Sequence, residues 1–332
     1  MRRSAWLSGA GLGVMAMILL VFLLWHLSLG AQPVALTEVW SALVAYDDNQ
    51  FSHLVVRELR LPRAIVAASV GASLAVAGAL MQGVTRNPLA DPSLLGMMTG
   101  GALAVVYWMS FAPVEGIVWL PLVAAVGSLI AAAVVWTIAA RTPSGVTPLT
   151  LTLTGSAFSA FTAALLSIHH LIDQKTFETL RGWLVGSLLG SQLETYWWCL
   201  PWILFGLVTA ILLAPAVTAM SMGDQVATGL GIDIQKRKWQ LLLCVVSLTA
   251  ASVALAGPLG FVGLVIPHVV KLLVGSDYRW VVPYSLLLGG AYLLFVDSLA
   301  RWLIAPQEVA TGLMTILLGA PLFVWLVKTR IR

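Results

Sequence analysis

Long runs without a charged side chain constrain this chain more than any other feature. Nine stretches of the 332-residue sequence contain no Asp, Glu, Lys or Arg, and nearly all could cross about 30 Å of hydrocarbon as a helix. They are residues 5–37, 64–85, 92–114, 116–140, 142–172, 195–223, 239–270, 280–296 and 309–327. Residues 239–270 exceed one span and are interrupted by Gly257-Pro258, so we interpret them as two segments. The sequence therefore predicts an all-α polytopic membrane protein with about ten transmembrane helices.

Composition supports a single membrane domain over residues 1–332. With 60% hydrophobic and 10% charged residues, the chain has too little polar surface for a soluble protein of this size. The first apolar run exceeds the roughly 7–15 residues of a signal-peptide core, so we interpret it as a retained span. The net charge of +4 is explained by the orientation of the spans, described next, so it does not indicate a nucleic-acid-binding protein.

The distribution of basic residues predicts that orientation, because Lys and Arg concentrate in short cytoplasmic loops. Arg2-Arg3 precedes the first span, and three basic residues within 328–332 follow the last. Both termini should therefore be cytoplasmic, which requires an even number of spans. On this topology residues 221–238 form a cytoplasmic segment, and residues 169–195 form a periplasmic loop with a short helix.

Two similar segments of the chain, here called the internal echo, suggest an inverted repeat. Residues 72–80 and 251–259 match at six of nine positions, and a proline lies ten residues beyond the shared glycine of each copy. The copies begin an odd number of crossings apart, so they would have opposite orientations in the membrane. Chance similarity between alanine-rich helices is the alternative, since small residues favour close helix packing whatever their ancestry.

Two proline-containing segments have a physical meaning of their own. Pro88 and Pro92 exclude a continuous helix from the loop Arg86-Asn87-Pro88-Leu89-Ala90-Asp91-Pro92, which should make a sharp cytoplasmic reversal. Asp91 followed by Pro92 is a favourable N-cap and N1 pair for the next helix. Residues 257–268 predict a turn and then a helix too short to cross the membrane alone, so its ends should lie within protein or beside a cavity.

These two segments, with four others, resemble the FecCD-type permeases of binding-protein-dependent ABC importers. The matching pieces are Leu59–Arg63, Gly71–Gly78, Arg86–Pro92 with Leu95-Gly96, Gly257–His268, Asp297–Arg301 and Leu318–Pro321. The resemblance implies ten spans with both termini inside, a multi-pass location in the bacterial inner membrane, and import of an iron–siderophore, haem or vitamin B12. It also implies three partners, namely a dimer of ATP-binding cassette ATPases, a periplasmic substrate-binding protein and a second permease chain, identical or homologous.

The resemblance assigns a coupling role to the segment between spans six and seven, which contacts the ATPase in the family. Here the expected coupling residues are Asp224, Ala227 and Gly231. Asp224 could cap a short helix that Gly231 ends. Val226 and Leu230 would then lie on one face of that helix.

The resemblance also implies a docking site on the outer side of the membrane. Arg57, Arg60 and Arg301 match arginines that receive acidic residues of the binding protein, and neutralising such exposed charges should leave the fold intact. The alternative is local pairing with Glu58 and Asp297.

The expected translocation path is uncharged. The span 148–168 resembles the helix that lines the path in the family, and its candidate lining residues are Thr154, Gly155, Ser156 and Ser159. Small, uncharged side chains suit a bulky chelate that must not be held tightly after it leaves its binding protein.

Several activities are excluded by what the sequence lacks. It contains no Gly-Lys dipeptide and therefore no phosphate-binding loop, so ATP must be hydrolysed by a partner subunit. We predict no catalytic residue, no metal site and no cofactor, and Cys199 and Cys244 are expected to be packing residues. The chain is thus predicted to be a transport subunit, not an enzyme.

Two alternatives concern the driving force and the cargo. A secondary transporter would usually carry charged residues near mid-membrane, and these predicted spans lack them. For the cargo, residues 181–187 look more like iron–siderophore members of the family than vitamin B12 members. Haem and vitamin B12 remain alternatives on sequence grounds.

Overall fold

The described part of the chain folds into fourteen α-helices and one π-helical segment. The structure, a computed structural model, describes residues 5–30, 32–93, 95–111, 119–143, 145 and 147–330, so Arg2, Arg3 and Arg332 of the topology prediction lie outside it. In chain order the elements are α1 (Ala5–Ser28), α2 (Leu36–Val44), α3 (Phe51–Leu54), the π-helical segment Val55–Arg60, α4 (Leu61–Thr85), α5 (Met97–Phe111), α6 (Leu120–Ala140), α7 (Pro148–Ile172), α8 (Gln174–Leu184), α9 (Leu193–Ser221), α10 (Asp224–Gly229), α11 (Ile234–Ala256), α12 (Val262–Val274), α13 (Tyr278–Trp302) and α14 (Thr311–Arg330).

The apolar helices correspond to the ten predicted apolar segments, although only seven of them are long enough to be candidate spans. Among the described residues, seven helices are long and apolar enough to cross a membrane, and three shorter apolar helices accompany them. The long ones are α1, the continuous helix Phe51–Thr85, α6, α7, α9, α11 and α13, and the short ones are α5, α12 and Thr311–Trp325 of α14. Seven and three give the ten expected segments, and the all-α polytopic fold is confirmed. The side of the membrane on which each loop lies stays a prediction.

Local sequence signals begin several helices. Thr147 and Thr150 form a capping box in which the Thr147 hydroxyl accepts from the Thr150 amide at 3.2 Å, and Pro148 occupies the first helical position of α7. At the start of α11, Asp233 accepts from the Lys236 amide at 3.0 Å. Each contact satisfies a backbone donor that the first turn of a helix leaves unpaired.

Helices α4 and α11 form the centre of the bundle. Both are mostly buried, and α4 contacts α9, α11, α12 and α13, whereas α1 and α7 are largely exposed in this single chain. Small residues allow the close approach: a Cβ on Gly71 would collide with the backbone carbonyl of Gly289 in α13. Position 71 therefore requires glycine for packing.

The sequence echo does not correspond to equivalent structure. Residues 72–80 lie entirely inside α4, whereas 251–259 run past the end of α11 at Ala256 and turn at Gly257, whose φ is 70°. The associated prolines also differ, since Pro88 lies in a loop and Pro267 lies inside α12. The echo thus gives no local support to the inverted repeat, which stays a prediction.

Candidate coupling and docking sites

The predicted coupling segment folds as expected, with one correction at its start. Between α9 and α11, residues 224–229 form the short helix α10. Its N-cap is Gly223, and no side chain caps it, so the expected capping role of Asp224 is wrong. Asp224 instead pairs with Arg86 of the preceding proline-containing loop and lies 3.6 Å from the Lys238 ammonium of α11. Asp224 therefore connects α10 to the loop that begins at Arg86 and to α11.

Gly231 ends this helix as predicted. Its φ is 77°, a left-handed conformation that favours glycine. The Gly231 amide donates to the Thr228 carbonyl at 2.9 Å, and the Ile232 amide donates to the Ala227 carbonyl at 3.0 Å. This pair of bonds is the Schellman arrangement, which satisfies the last carbonyls of a helix.

The exposed surface of α10 is apolar on one side, next to the exposed polar residues Gln225 and Thr228. Val226 and Leu230 are exposed and lie about 40° apart around the helix, as predicted for a contact surface. Ala227 is fully buried, so it supports the segment from beneath and does not lie on that surface. Of the predicted coupling residues, Asp224 positions the helix and Gly231 terminates it, while its two exposed apolar side chains can contact a partner.

The loop that begins at Arg86 is a rigid turn. Arg86 ends α4 in a left-handed conformation with φ 52°, and the Asn87 side chain accepts from the Leu89 amide at 3.0 Å. Asp91 accepts from the Ser93 amide at 3.0 Å and from the Ser93 hydroxyl. Because α5 begins only at Met97, Asp91 and Pro92 are turn residues, and their expected N-cap and N1 roles are wrong. Burial raises the pKa of the Asp91 carboxyl to about 6.

The two proline-containing segments meet inside the protein. A Cβ on Gly263, in the first turn of α12, would collide with the Asp91 carboxylate, and a Cβ on Gly78 in α4 would collide with the Gly263 carbonyl. Glycines 78 and 263 therefore let α4 and α12 touch backbone to backbone. The two segments, recognised separately in the sequence, therefore pack against each other. We call this contact of Asp91, Gly78 and Gly263 the α4–α12 joint.

A buried glutamine completes this joint, and the sequence analysis missed it. Pro267 lacks an amide hydrogen, so the Gly263 carbonyl loses its normal helical donor. The Gln82 side-chain amide donates to the backbone carbonyls of Gly263 and Leu264 at 3.2 and 3.3 Å. The Lys271 ammonium in turn donates to the side-chain oxygen Oε1 of Gln82 at 2.9 Å. A glutamine one turn after Gly78 in an otherwise apolar helix was the available signal.

At the opposite end of α4 lies a buried network of charged residues. Arg63 donates to both carboxylate oxygens of Asp297, at 2.8 and 2.9 Å, and to Glu308 at 2.7 Å. Asp297 also accepts from Thr311 at 2.8 Å and lies 2.9 Å from the His26 ring nitrogen. The network joins α1, α4, α13 and the beginning of α14. Asp297 is thus a local partner of these arginines, as the alternative in the sequence analysis predicted: Arg63 binds it directly, and the Arg301 guanidinium lies 3.5 Å from it.

Two of the three predicted docking arginines hold the end of α1. Arg60 donates to the carbonyls of Leu27 and Ser28, each at 2.8 Å, and Arg301 donates to the carbonyls of His26 and Leu29 at 2.9 and 3.1 Å. These carbonyls lie where a helix leaves its last acceptors unpaired and its dipole is negative. Arg60 and Arg301 are both buried, so the expectation of exposed charge is corrected for these two.

Arg57 differs from its two companions because it is exposed. Its guanidinium lies 4.6 Å from the centroid of the Tyr46 ring, a cation–π contact at the surface. Next to it, a cavity of about 610 Å³ is lined by side chains of both signs: Arg60, Arg63, Arg301, Glu38, Glu58 and Glu308. Docking by the three arginines stays a prediction, in which Arg57 supplies the exposed charge.

The four candidate path residues all lie in α7 but do not share one face. Gly155 is buried against the bundle, Ser156 is exposed, and Thr154 and Ser159 are half-buried on different sides. Ser159 accepts a long hydrogen bond of 3.4 Å from Thr99 of α5. Lining of the path by α7 stays a prediction, with Ser156 as the residue that reaches an open surface.

Comparisons with known proteins agree with this architecture. Residues 18–329 match the FecCD transport family. YfiZ of Bacillus subtilis (strain 168), a siderophore transport system permease protein, is 38% identical over 299 residues, covering 88% of this chain and 87% of the relative. The cobalamin import system permease protein BtuC of Halobacterium salinarum is also 38% identical, covering 89% and 79%. A solved structure of a metal-chelate type ABC transporter, in an inward-facing conformation, superposes with a TM-score of 0.82 at 27% identity and covers 97% of this chain and 99% of that one.

Proposed function

The chain belongs to the FecCD transport family, and we propose that it is the permease of an ATP-driven importer that carries ferric siderophores across the bacterial inner membrane. The family, the multiple apolar helices and the solved relative make it a multi-pass permease of a metal-chelate type ABC importer, and not itself an enzyme. The proposal adds the cargo, the cellular membrane and the partner subunits.

The cargo proposal is supported by one relative and one segment. YfiZ is a siderophore transport permease, and it matches almost the whole length of this chain. Identity alone does not separate the cargoes, because a cobalamin permease is equally similar. The segment Arg181-Gly-Trp-Leu-Val-Gly-Ser187, which looks more like iron–siderophore members than vitamin B12 members, supports the siderophore proposal. Haem or vitamin B12 is the alternative.

The ATPase partner is assigned to α10. Its apolar pair Val226 and Leu230 is exposed at the surface, and the ion pair between Asp224 and Arg86 fixes the helix to the loop that leads into the α4–α12 joint. A displacement of α10 can therefore be transmitted through this loop to the centre of the bundle. This arrangement is the observation that carries an ATP-driven mechanism, since it supplies a docking helix and a route inward.

Two further partners complete the assembly. We assign the periplasmic binding protein to the surface that contains Arg57 and the adjacent cavity. A second permease chain, identical or homologous, would cover the exposed side of α7 and enclose the translocation path between the two copies.

The cargo is tested by competition. The permease, its ATPase and the binding protein encoded beside it are reconstituted in proteoliposomes, and uptake of a radiolabelled ferric hydroxamate is measured against unlabelled ferric citrate, haem or cobalamin. The proposal predicts saturable uptake of the ferric siderophore that cobalamin does not reduce. Uptake of cobalamin in preference to every ferric chelate would assign this permease to vitamin B12.

A further inference from the structure

The short helix α2 has an exposed surface with two unlike halves. Leu36, Trp40 and Val44 recur every fourth residue and are 57%, 66% and 67% exposed. Successive residues of a helix are about 100° apart, so these three occupy a continuous apolar arc of about 80°. The next arc contains the polar residues Thr37, Ser41 and Glu38. The exposed side of α2 is therefore itself amphipathic.

The remaining side of α2 fixes its orientation. Val39 and Ala42 are buried, and α2 contacts α1, α3 and the π-helical segment. Glu38, on the polar arc, lines the cavity together with Arg60. Because Glu38 lies about 160° around the helix from the middle of the apolar arc, that arc faces away from the cavity.

α2 lies next to the end of a helix that crosses the membrane. Helix α1 is a membrane span whose residues are mostly exposed, including Val14, Met17, Leu20 and Val21. α2 follows α1 after a short connection and packs against it. A helix at the end of a membrane span, with one exposed apolar arc and a polar arc that borders a cavity, has the character of an interfacial helix.

We propose that the Leu36, Trp40 and Val44 face of α2 lies in the lipid interface and anchors one rim of the cavity at the membrane surface. Tryptophan is the residue best suited to this depth, because its ring is apolar and its indole N–H remains near water. The inference rests on the membrane location of the chain and is independent of which substrate is carried.

The charges around α2 specify the kind of lipid contact. The helix contains no Lys or Arg, and Glu38, Asp47 and Asp48 are the acidic groups nearest in sequence. Anionic headgroups therefore gain nothing from α2, and the contact depends on apolar burial. A zwitterionic phosphatidylcholine bilayer is the appropriate probe, and added salt should not displace the helix.

The test measures the depth of single nitroxide labels. In a background without Cys199 and Cys244, the variants Leu36→Cys, Trp40→Cys and Val44→Cys are labelled in phosphatidylcholine nanodiscs, and collision with oxygen is compared with collision with a water-soluble nickel chelate. Leu20→Cys provides a lipid-facing control, while Glu38→Cys and Asn49→Cys provide exposed polar controls. Retention on size exclusion confirms that each variant is folded.

We expect all three apolar positions to favour oxygen over the nickel chelate, as at position 20, and both polar controls to favour nickel by at least severalfold. The same preference is expected at 0.1 and 0.5 M salt and when phosphatidylglycerol is added. Nickel preference at positions 36, 40 and 44 would show that the face is in water. Poor access of both reagents would show that protein covers it, for example a second copy of the chain. Either result would overturn the proposal.

Discussion

Arg63 and Asp297 face each other in two hydrogen bonds of 2.8 and 2.9 Å although they lie 234 residues apart. Arg63 belongs to the first turn of α4 and Asp297 to α13, so the pair closes the contact between the central helix and the last third of the chain. Asp297 is completely buried, and both residues have further partners in the same network. The pair is therefore structural.

Removal of both partners should cost less stability than the sum of the two single removals. Asp297→Leu leaves the Arg63 guanidinium buried without its main counter-charge, and such a change costs about 3–5 kcal/mol. The double variant with Arg63→Met should regain at least about 1 kcal/mol relative to the sum of the single changes. Unfolding of the purified permease, followed by circular dichroism, gives the three values. Additive losses would show that the two side chains stabilise the fold independently.

Gln82 should compensate for the missing amide hydrogen of Pro267. Gln82→Leu leaves the Gly263 and Leu264 carbonyls without this donor and should lower the free energy of unfolding by about 1–3 kcal/mol. In the Pro267→Ala background an amide at position 267 can donate to Gly263, so the same Gln82→Leu change should cost less. An equal cost in both backgrounds would mean that Gln82 acts through Lys271 alone.

The three predicted docking arginines should fall into two classes. Arg60→Met and Arg301→Met remove donors from the end of α1 and should each lower stability by about 1–3 kcal/mol, whereas Arg57→Met should change it by less than about 1 kcal/mol. Thermal unfolding of the three variants in one detergent makes this comparison.

Arg57 carries the electrostatic part of the docking proposal. Arg57→Glu should slow association with the binding protein about tenfold at low salt and lose most of this effect at high salt. Arg57→Lys is the matched control because it keeps the charge. Unchanged association rates and salt dependence for Arg57→Glu would remove this residue from the docking surface.

The exposed face of α10 should be required for coupling. Val226→Glu and Leu230→Glu place charge on the apolar contact surface without touching the buried Ala227, so uptake should fall more than tenfold while membrane insertion persists. Gln235→Glu puts the same charge on an exposed position of the next helix and should transport normally. Binding of the ATPase to the purified variants is measured directly. Normal ATPase binding and uptake in both would place coupling elsewhere.

Features governed by local sequence were predictable. Apolar length gave the ten segments, and a glycine in a short amphipathic stretch gave the end of α10 at Gly231. The contacts of Arg60 and Arg301 with backbone carbonyls at the end of α1 were not predictable, because backbone carbonyls carry no sequence signature. The joint between Gln82 and Gly263 was hidden for the same reason. The expected cap at Asp91 failed because the turn continues to Met97 before the helix begins.

Uptake in sealed proteoliposomes decides whether this permease is driven by ATP. The permease is reconstituted with its ATPase and binding protein, and entry of the ferric siderophore is followed with and without ATP on the side of the membrane where the ATPase binds. We expect uptake that requires both partner proteins, stops when the ATPase cannot hydrolyse ATP, and continues after a protonophore or sodium ionophore is added. Uptake driven by a proton or sodium gradient in the absence of the ATPase would contradict this expectation.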